Sequence, residues 1–351
     1  MSDGGDGFGE VLSRLGKGKI QKVRTVDAAH RPCVVPWWWE PGTKTAIIES
    51  ARVIGLAMLP PGEFHPFALD SFGMGALFLA AHLKGAKHCL VGIGGSATND
   101  GGFGLARAMG WGFFDRAGNV IERWPDLQRL EKICPPPSKQ SQSGIGARTG
   151  APYPHHQNRA HSLDYSIEVA VDVQNPLLGP RGATRVYGPQ KGLGTEDFKL
   201  AESCLSRMAR IWRRDFGKDL STKPGAGAAG GLGFGLVAFL GARLAPGFDL
   251  LAEHAGIEDR LDWANLVITG EGSIDKSTLM GKGVGQIGSR CLKRRIPCIG
   301  LAGVVTGTVR GSTKFKITRG LTELTSVEQA KTEPAHWLER LAAQVAREIK
   351  P

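Results

Sequence analysis

Four segments of the sequence set hydroxyl, amide and ionisable side chains among glycines directly after an apolar run: "GIGGSATNDGG" (92–102), "AVDVQNPLLGP" (170–180), "GAGAAGGLG" (225–233) and "TGEGSIDKSTLMGKG" (269–283). Glycine admits positive φ and lets backbone amides approach a ligand, while a helix N-terminus adds partial positive charge suited to phosphate. The set predicts an anion-binding cleft. Carboxylates at the expected strand ends, Asp100, Asp172, Glu271 and Asp275, with Asp3 in "SDGGDG", match the needs of phosphoryl transfer from a nucleotide. That reaction requires acidic groups to hold Mg2+, a base near the acceptor hydroxyl, and cations for the phosphates. Lys191 in "YGPQKG" and Lys282 in "LMGKG" are the available cations. Taken singly, each signal is unspecific. The first segment lacks GxGxxG spacing and GxxxxGK[ST] occurs nowhere, so neither a dinucleotide fingerprint nor a Walker loop is indicated. A glycine turn equally serves close helix–strand packing, and Asp100 and Asp275 stand where helices begin, the place of an N-cap.

The elements that must carry these groups are readable from periodicity. Residues 18–60 alternate short extended runs with turn residues, which predicts hairpins, and "SFGMGALFLAAHLKGA" follows with a helical period. The run "HCLV" before the first glycine segment reads as a buried strand, with a helix after the segment through Ala108. "SIEVAVDV" reads as another buried strand ending at Asp172, and a long amphipathic helix is expected from about 196 to 215. The stretch 262–305 reads as strand, glycine turn, helix, strand, the βαβ unit of a parallel sheet whose ligands sit beyond the carboxyl ends of strands. The polar, Pro/Ser/Gly/Gln-rich segment 135–162 has no hydrophobic period and predicts a mobile loop. In "WWWE", strand alternation sends Trp37 and Trp39 to one face and Trp38 to the other, which favours packing over base stacking. "HHQNRAH" carries His155, His156 and His161 without Cys or acidic partners, a poor metal set.

Length and charge bound the alternatives. At 351 residues and 41% hydrophobic content the chain is globular, and its size points to two domains. Its six cysteines form no CxxC and no metal spacing, which fits reduced thiols in a cytoplasm. The start has neither the basic residues nor the apolar centre of a signal peptide, and Arg243 interrupts the longest apolar stretch. A net charge of +11 is concentrated in "GKGKIQKVR", "RMARIWRRDFGK" and "RCLKRRIP". Such runs are usually solvated faces, and no nucleic-acid-binding motif accompanies them.

In order and spacing, "DGGDG", "SFGMGALF", "VGIGGSATNDGG", "DVQNPLLGPRGA", "YGPQKG", "GAGAAGGLG" and "LVITGEGSIDKSTLMGKG" resemble the bacterial glycerate kinase family, from Asp3 to about Gly303. The resemblance implies an α/β protein of two α/β domains with an interdomain cleft. One domain (1–16 and 241–351) would be flavodoxin-like, its parallel sheet built from both chain ends, and the other would span 17–240. It implies phosphorylation of D-glycerate by ATP with Mg2+, in the cytoplasm, with no membrane or nucleic-acid partner. The matched positions divide by expected role. Asp172, Lys191 and Asp275 are the catalytic candidates. Gly94, Gly95, Ser96, Asn99, Asp100, Glu271 and Lys282 are assigned to the nucleotide, and Asp3, Gly4, Gly5, Asn175 and Gln190 to the substrate. Asp172 and Glu271 are the candidate Mg2+ ligands. Two departures stand out. Family members carry a strand, a loop of the type "APDSFKGSLSA", a helix and a second strand ahead of the "DGG" that starts here at Asp3, and the polar loop near 135–162 is longer than theirs. The first departure predicts a flavodoxin-like sheet short of strands. It leaves open a truncated, inactive family member as one alternative, and the +11 charge leaves open a polyanion or nucleic-acid binder on the same scaffold as another.

Overall fold

The computed structural model describes residues 7–137, 163–279, 283–307, 309 and 312–349. Asp3, Gly4, Gly5, Lys282 and the three loop histidines lie outside the described residues, as does 138–162 of the expected mobile loop. The chain divides into two compact units, Ser2–Leu251 and Ala252–Pro351.

In the larger unit the strands are β1 (Lys19–Val26), β2 (Pro32–Glu40), β3 (Thr45–Glu49), β4 (His88–Gly92), β5 (Gly112–Asp115), β6 (Leu130–Cys134), β7 (Ser166–Ala170) and β8 (Arg243–Ala245). Its helices are α1 (Phe8–Gly16), α2 (Ala51–Ile54), α3 (Met74–Leu83), α4 (Phe103–Ala108), α5 (Ala183–Tyr187), α6 (Phe198–Phe216), α7 (Ala228–Leu240) and α8 (Gly247–His254), the last reaching past the division. A six-stranded sheet runs in the order β1-β2-β3-β4-β7-β8, while β5 and β6 form a separate hairpin. The first three strands are the antiparallel hairpins that the sequence predicts. From β3 to β8 pairing is parallel, and Glu49 faces Gly92, Gly92 faces Ala170 and Ala170 faces Ala245, so four strands end level with one another. Whatever follows those strands is gathered at one edge of the sheet.

Both faces of this sheet are covered, which explains why its strands read as nearly continuous apolar runs. Trp37, Trp39, Ile48, Val91 and Val169 pack with Met74, Leu77 and Phe78 of α3 and with Leu232 and Leu236 of α7. On the other face Trp38, Ile47, Leu90 and Ala170 pack with Phe8 and Leu12 of α1 and with Leu250 and Leu251. The three tryptophans of "WWWE" thus divide as alternation requires, and all are buried. Phe8 and Leu12 are fully buried, and at about 1.5–3 kcal/mol for each large apolar side chain that burial holds α1 on this sheet. The expected grouping of 1–16 with 241–351 differs from this: the described N-terminal helix belongs with the six-stranded sheet, and the division falls after Leu251 rather than Leu240.

The smaller unit has α9 (Ile257–Asp262), β9 (Val267–Ile274), α10 (Lys276–Leu279), α11 (Gly283–Arg294), β10 (Cys298–Val305), β11 (Ile317–Gly320), α12 (Val327–Thr332) and α13 (Pro334–Glu348). Its sheet has the order β11-β10-β9 and is parallel throughout, so the βαβ reading of 262–305 matches. Ile299, Leu301, Leu321, Leu341 and Val345 form its core. The edge strand β9 leaves Ile268 60% exposed.

Candidate functional site

Three of the four glycine segments meet at the level strand ends of the larger unit. Ile93, Gly94, Gly95 and Ser96 follow β4, Val171, Asp172 and Val173 follow β7, and Ala228 and Ala229 open α7. Together with Leu56, Tyr187, Gln190 and Lys191 they line a cavity of about 420 Å³. A wider groove along 49–65 shares Leu56, Gly95, Gln190 and Lys191 with it.

The loop after β4 is strapped in place from both sides. Leu56 N–H donates to the Gly95 carbonyl at 2.9 Å and Ala97 N–H to the Ile54 carbonyl at 2.8 Å, tying α2 and the turn after it to the glycines. Behind the loop Asp100 is fully buried. Its Oδ2 accepts from Ser71 N–H (2.9 Å), Ser71 Oγ (2.7 Å) and Gly104 N–H (2.9 Å), and its Oδ1 from Gly102 N–H (3.1 Å). Burial and the nearby Asp70 charge push its carboxyl above the usual range, against those hydrogen bonds. Asp100 therefore caps α4 and pins it to the Ser71 turn, and it presents nothing to a nucleotide. Asn99 is also fully buried and donates to Thr184 Oγ1 at 3.2 Å, so it too is placed within the fold and not at the cavity wall.

Lys191 is the cation of the cavity. The turn "GPQK" closes after α5, and the side chain runs inward until Nζ donates to the Thr98 carbonyl at 2.6 Å and to Ser96 Oγ at 3.1 Å. Room for it comes from α7, which opens through three left-handed residues, Ala229, Gly230 and Gly231. A Cβ on Gly230 (φ +70°) would stand 1.9 Å from the Thr98 carbonyl oxygen and 2.8 Å from Lys191 Nζ, so only glycine fits there. Only 6% of Lys191 is exposed. Desolvation drives its amine from 10.5 down to about 7, partly opposed by the Asp100 charge.

Asp172 is exposed at the end of β7, and its Oδ1 accepts from Gly247 N–H of α8 at 3.1 Å, which aligns the carboxylate across the β7 and β8 ends. Gln190 lines both cavity and groove. Asn175 has a different job: its Oδ1 accepts from Tyr187 Oη at 2.7 Å and its Nδ2 donates to the Arg181 carbonyl at 2.8 Å. It orients Tyr187, which does line the cavity and which the sequence reading quoted in "YGPQKG" without assigning. Leu56 and Glu49 were missed as well. Glu49, 2% exposed at the end of β3, accepts from Gly7 N–H (2.9 Å) and Gly9 N–H (3.3 Å) at the start of α1.

The fourth segment lies in the smaller unit and is described within it. Asp275 Oδ1 accepts from Ser277 N–H (2.7 Å) and Ser277 Oγ (2.6 Å), the hydrogen bonding of a cap on α10. Glu271 accepts from the Thr278 hydroxyl and borders an apolar groove lined by Gly270, Gly272, Leu301, Gly303, Leu321 and Leu338. Asp275 thus carries the hydrogen bonds of a helix cap through Oδ1. Among the described residues no cluster of three His, Cys, Asp or Glu forms a ready metal site.

These features define an α/β protein with a lysine-bearing cavity beyond the carboxyl ends of parallel strands. Known proteins narrow the class. The model of the "Glycerate kinase family" matches residues 1–350. The chain is 33% identical over 356 residues to the glycerate kinase of Bacillus subtilis (strain 168), covering 100% of this chain and 87% of that one. It is 35% identical over 310 residues to the glycerate 2-kinase of Escherichia coli (strain K12), covering 88% and 76%. A crystal structure from Salmonella typhimurium LT2, titled as a candidate glycerate kinase 2, superposes with a TM-score of 0.76 at 33% identity, over 91% of this chain and 79% of that one. The chain belongs to the glycerate kinase family, whose members phosphorylate glycerate with ATP as donor. The polyanion-binding and inactive-member alternatives are not favoured by this match.

Proposed function

We propose that this protein transfers the γ-phosphoryl group of ATP to a hydroxyl of D-glycerate, giving 2- or 3-phosphoglycerate, with the reaction centred on the Ser96–Asp172–Lys191 cavity. The observation that carries the reading is Lys191: a buried amine, held by a carbonyl and a hydroxyl, on the wall of a cavity that also holds a strand-end carboxylate. An arriving phosphate supplies the missing counter-charge, so the amine takes up a proton and neutralises the transferring group. Gly94 and Gly95 line the cavity with it, where backbone amides would serve phosphate oxygens.

Asp172 serves as base toward the acceptor hydroxyl or as ligand to Mg2+. A single carboxylate suits Mg2+ held jointly with nucleotide phosphates, because the ion keeps several waters and takes few protein ligands. When bound there, the ion would spread the charge of the phosphates. Gln190 and Tyr187 orient the glycerate. Glu271 and Lys282 keep the nucleotide assignment that their motif gives them. The test is ADP release at saturating MgATP with and without D-glycerate. The reading expects glycerate-dependent turnover that falls at least about a hundredfold in Asp172→Asn. ADP release indifferent to glycerate would overturn it.

A further inference from the structure

Lys191 differs from an ordinary buried lysine in what surrounds Nζ. Its hydrogen-bond partners, the Thr98 carbonyl and Ser96 Oγ, are neutral, and among the described residues no carboxylate forms an ion pair with it. Asp100 lies behind the loop with its oxygens given to Ser71, Gly102 and Gly104, and the ionisable groups sharing the cavity are Asp172 and Tyr187. The remaining wall is mostly apolar: Leu56, Ile93, Val171, Val173 and Ala228. Desolvation outweighs the Asp100 charge and favours the neutral amine, and a neutral amine on the wall of a cavity is a nucleophile toward carbonyl carbon.

We propose that Lys191 is a reversible capture site for three-carbon hydroxyaldehydes, forming an imine through Nζ. In the first step the Nζ lone pair bonds to the aldehyde carbon, the carbonyl π pair moves to oxygen, and that oxygen takes a proton from nitrogen, giving a carbinolamine. In the second the carbon–oxygen bond breaks, the oxygen leaves as water with another nitrogen proton, and the carbon–nitrogen double bond forms. One water is released and no oxidant or reductant is consumed. The imine nitrogen then takes up one proton from water, and the resulting N–H donates to the Thr98 carbonyl, so the lysine's stronger hydrogen bond is restored after capture. Such a compound has the size of glycerate with an aldehyde in place of the carboxylate. The choice of aldehyde rests on the reading of this cavity as the glycerate site, whereas the amine chemistry does not. The captured carbon chain occupies the cavity beside Nζ where the phosphoryl group would sit, so the aldehyde acts as a slow, reversible inhibitor.

The test is incubation of the intact chain with D-glyceraldehyde at pH 8, trapping with cyanoborohydride, and peptide mass mapping. The expected result is a reduced adduct on the Lys191 peptide, accumulating at least about tenfold faster than on surface lysines, which are almost wholly protonated at that pH. MgATP suppresses it, and it is absent from Lys191→Arg and Lys191→Met, each checked for a cooperative melt. Labelling spread evenly over lysines, or unaffected by MgATP, overturns the proposal. The wild-type map decides the matter even if both variants fail to fold. A chain that labels at Lys191 but does not phosphorylate glycerate refutes the kinase reading alone, and an active chain that does not label there refutes the capture site alone.

Discussion

At the scale of residues, the site turns on one amine and one carboxylate with opposite relations to solvent. Lys191 is buried and Asp172 exposed, so the two substitutions have different costs. In Asp172→Asn the amide oxygen still accepts from Gly247 N–H, and we expect the melting temperature to stay near wild type while turnover falls at least about a hundredfold. Lys191→Met should abolish turnover yet stabilise the fold. The amine sits at about 7 in the folded chain against 10.5 when unfolded, so between those values the unfolded chain binds the extra proton. Stability therefore rises with pH across that window, and the penalty is complete below about 7. Urea denaturation of wild type should show that rise and the Met variant should lack it, with the variant more stable at neutral pH by on the order of a few kcal/mol. A variant less stable than wild type at pH 7 would contradict desolvation as the dominant influence on the Lys191 amine.

The elements show how such a pair is held. The parallel strands β3, β4, β7 and β8 end level, and each hands the chain to a turn fastened to its neighbour: α2 to the glycine loop, Asp172 to α8, Asp100 to the Ser71 turn. Asp100→Asn keeps one acceptor oxygen, which can serve the three donors at the Oδ2 position only by turning its NH2 toward Gly102 N–H. It should cost about 1–3 kcal/mol in a urea titration, with reduced turnover following from a loosened loop. Loss of ATP affinity with unchanged stability would instead restore Asp100 as a ligand. Gly230→Ala should lower both the melting temperature and turnover, because the new methyl meets the Thr98 carbonyl and Lys191 Nζ at a left-handed position. The strands were legible in the sequence because alternation and apolar runs are local: "WWWE" and "SIEVAVDV" needed nothing else. Caps were half legible, since Asp100 and Asp275 stand at helix starts, but whether a carboxylate faces inward depends on partners such as Ser71, 29 residues away. The Asp172–Gly247 bond spans 75 residues, and the left-handed start of α7 is imposed by contact with Thr98, so no local pattern announces either. Tyr187 escaped assignment for the same reason, its orientation being set by Asn175 across a turn.

For the whole molecule, the +11 charge is paired in part: among the described residues Lys17, Lys19, Lys22 and Arg24 of the first basic run form no ion pair, while arginines of the other two runs do. Arg207 and Arg214 pair with Glu131, Arg213 with Asp219, and Arg290 and Arg294 with Glu258. Heparin should find only the short first run without carboxylate partners and retain the protein weakly, with elution at low salt, and strong retention that MgATP leaves unchanged would revive a polyanion-binding role. No helix among the described residues is long and apolar enough to cross a membrane. The central claim, that this chain moves a phosphoryl group from ATP to glycerate through the Asp172–Lys191 cavity, is tested most directly by phosphorus NMR of the wild type and Asp172→Asn with MgATP and D-glycerate. The account predicts a new phosphomonoester signal growing in step with ADP in the wild type and nearly absent in the variant. Its proton coupling separates the two products, a doublet for the ester on carbon 2 and a triplet for that on carbon 3. ATP loss that yields only inorganic phosphate, or an equal ester signal from the Asn variant, would contradict it.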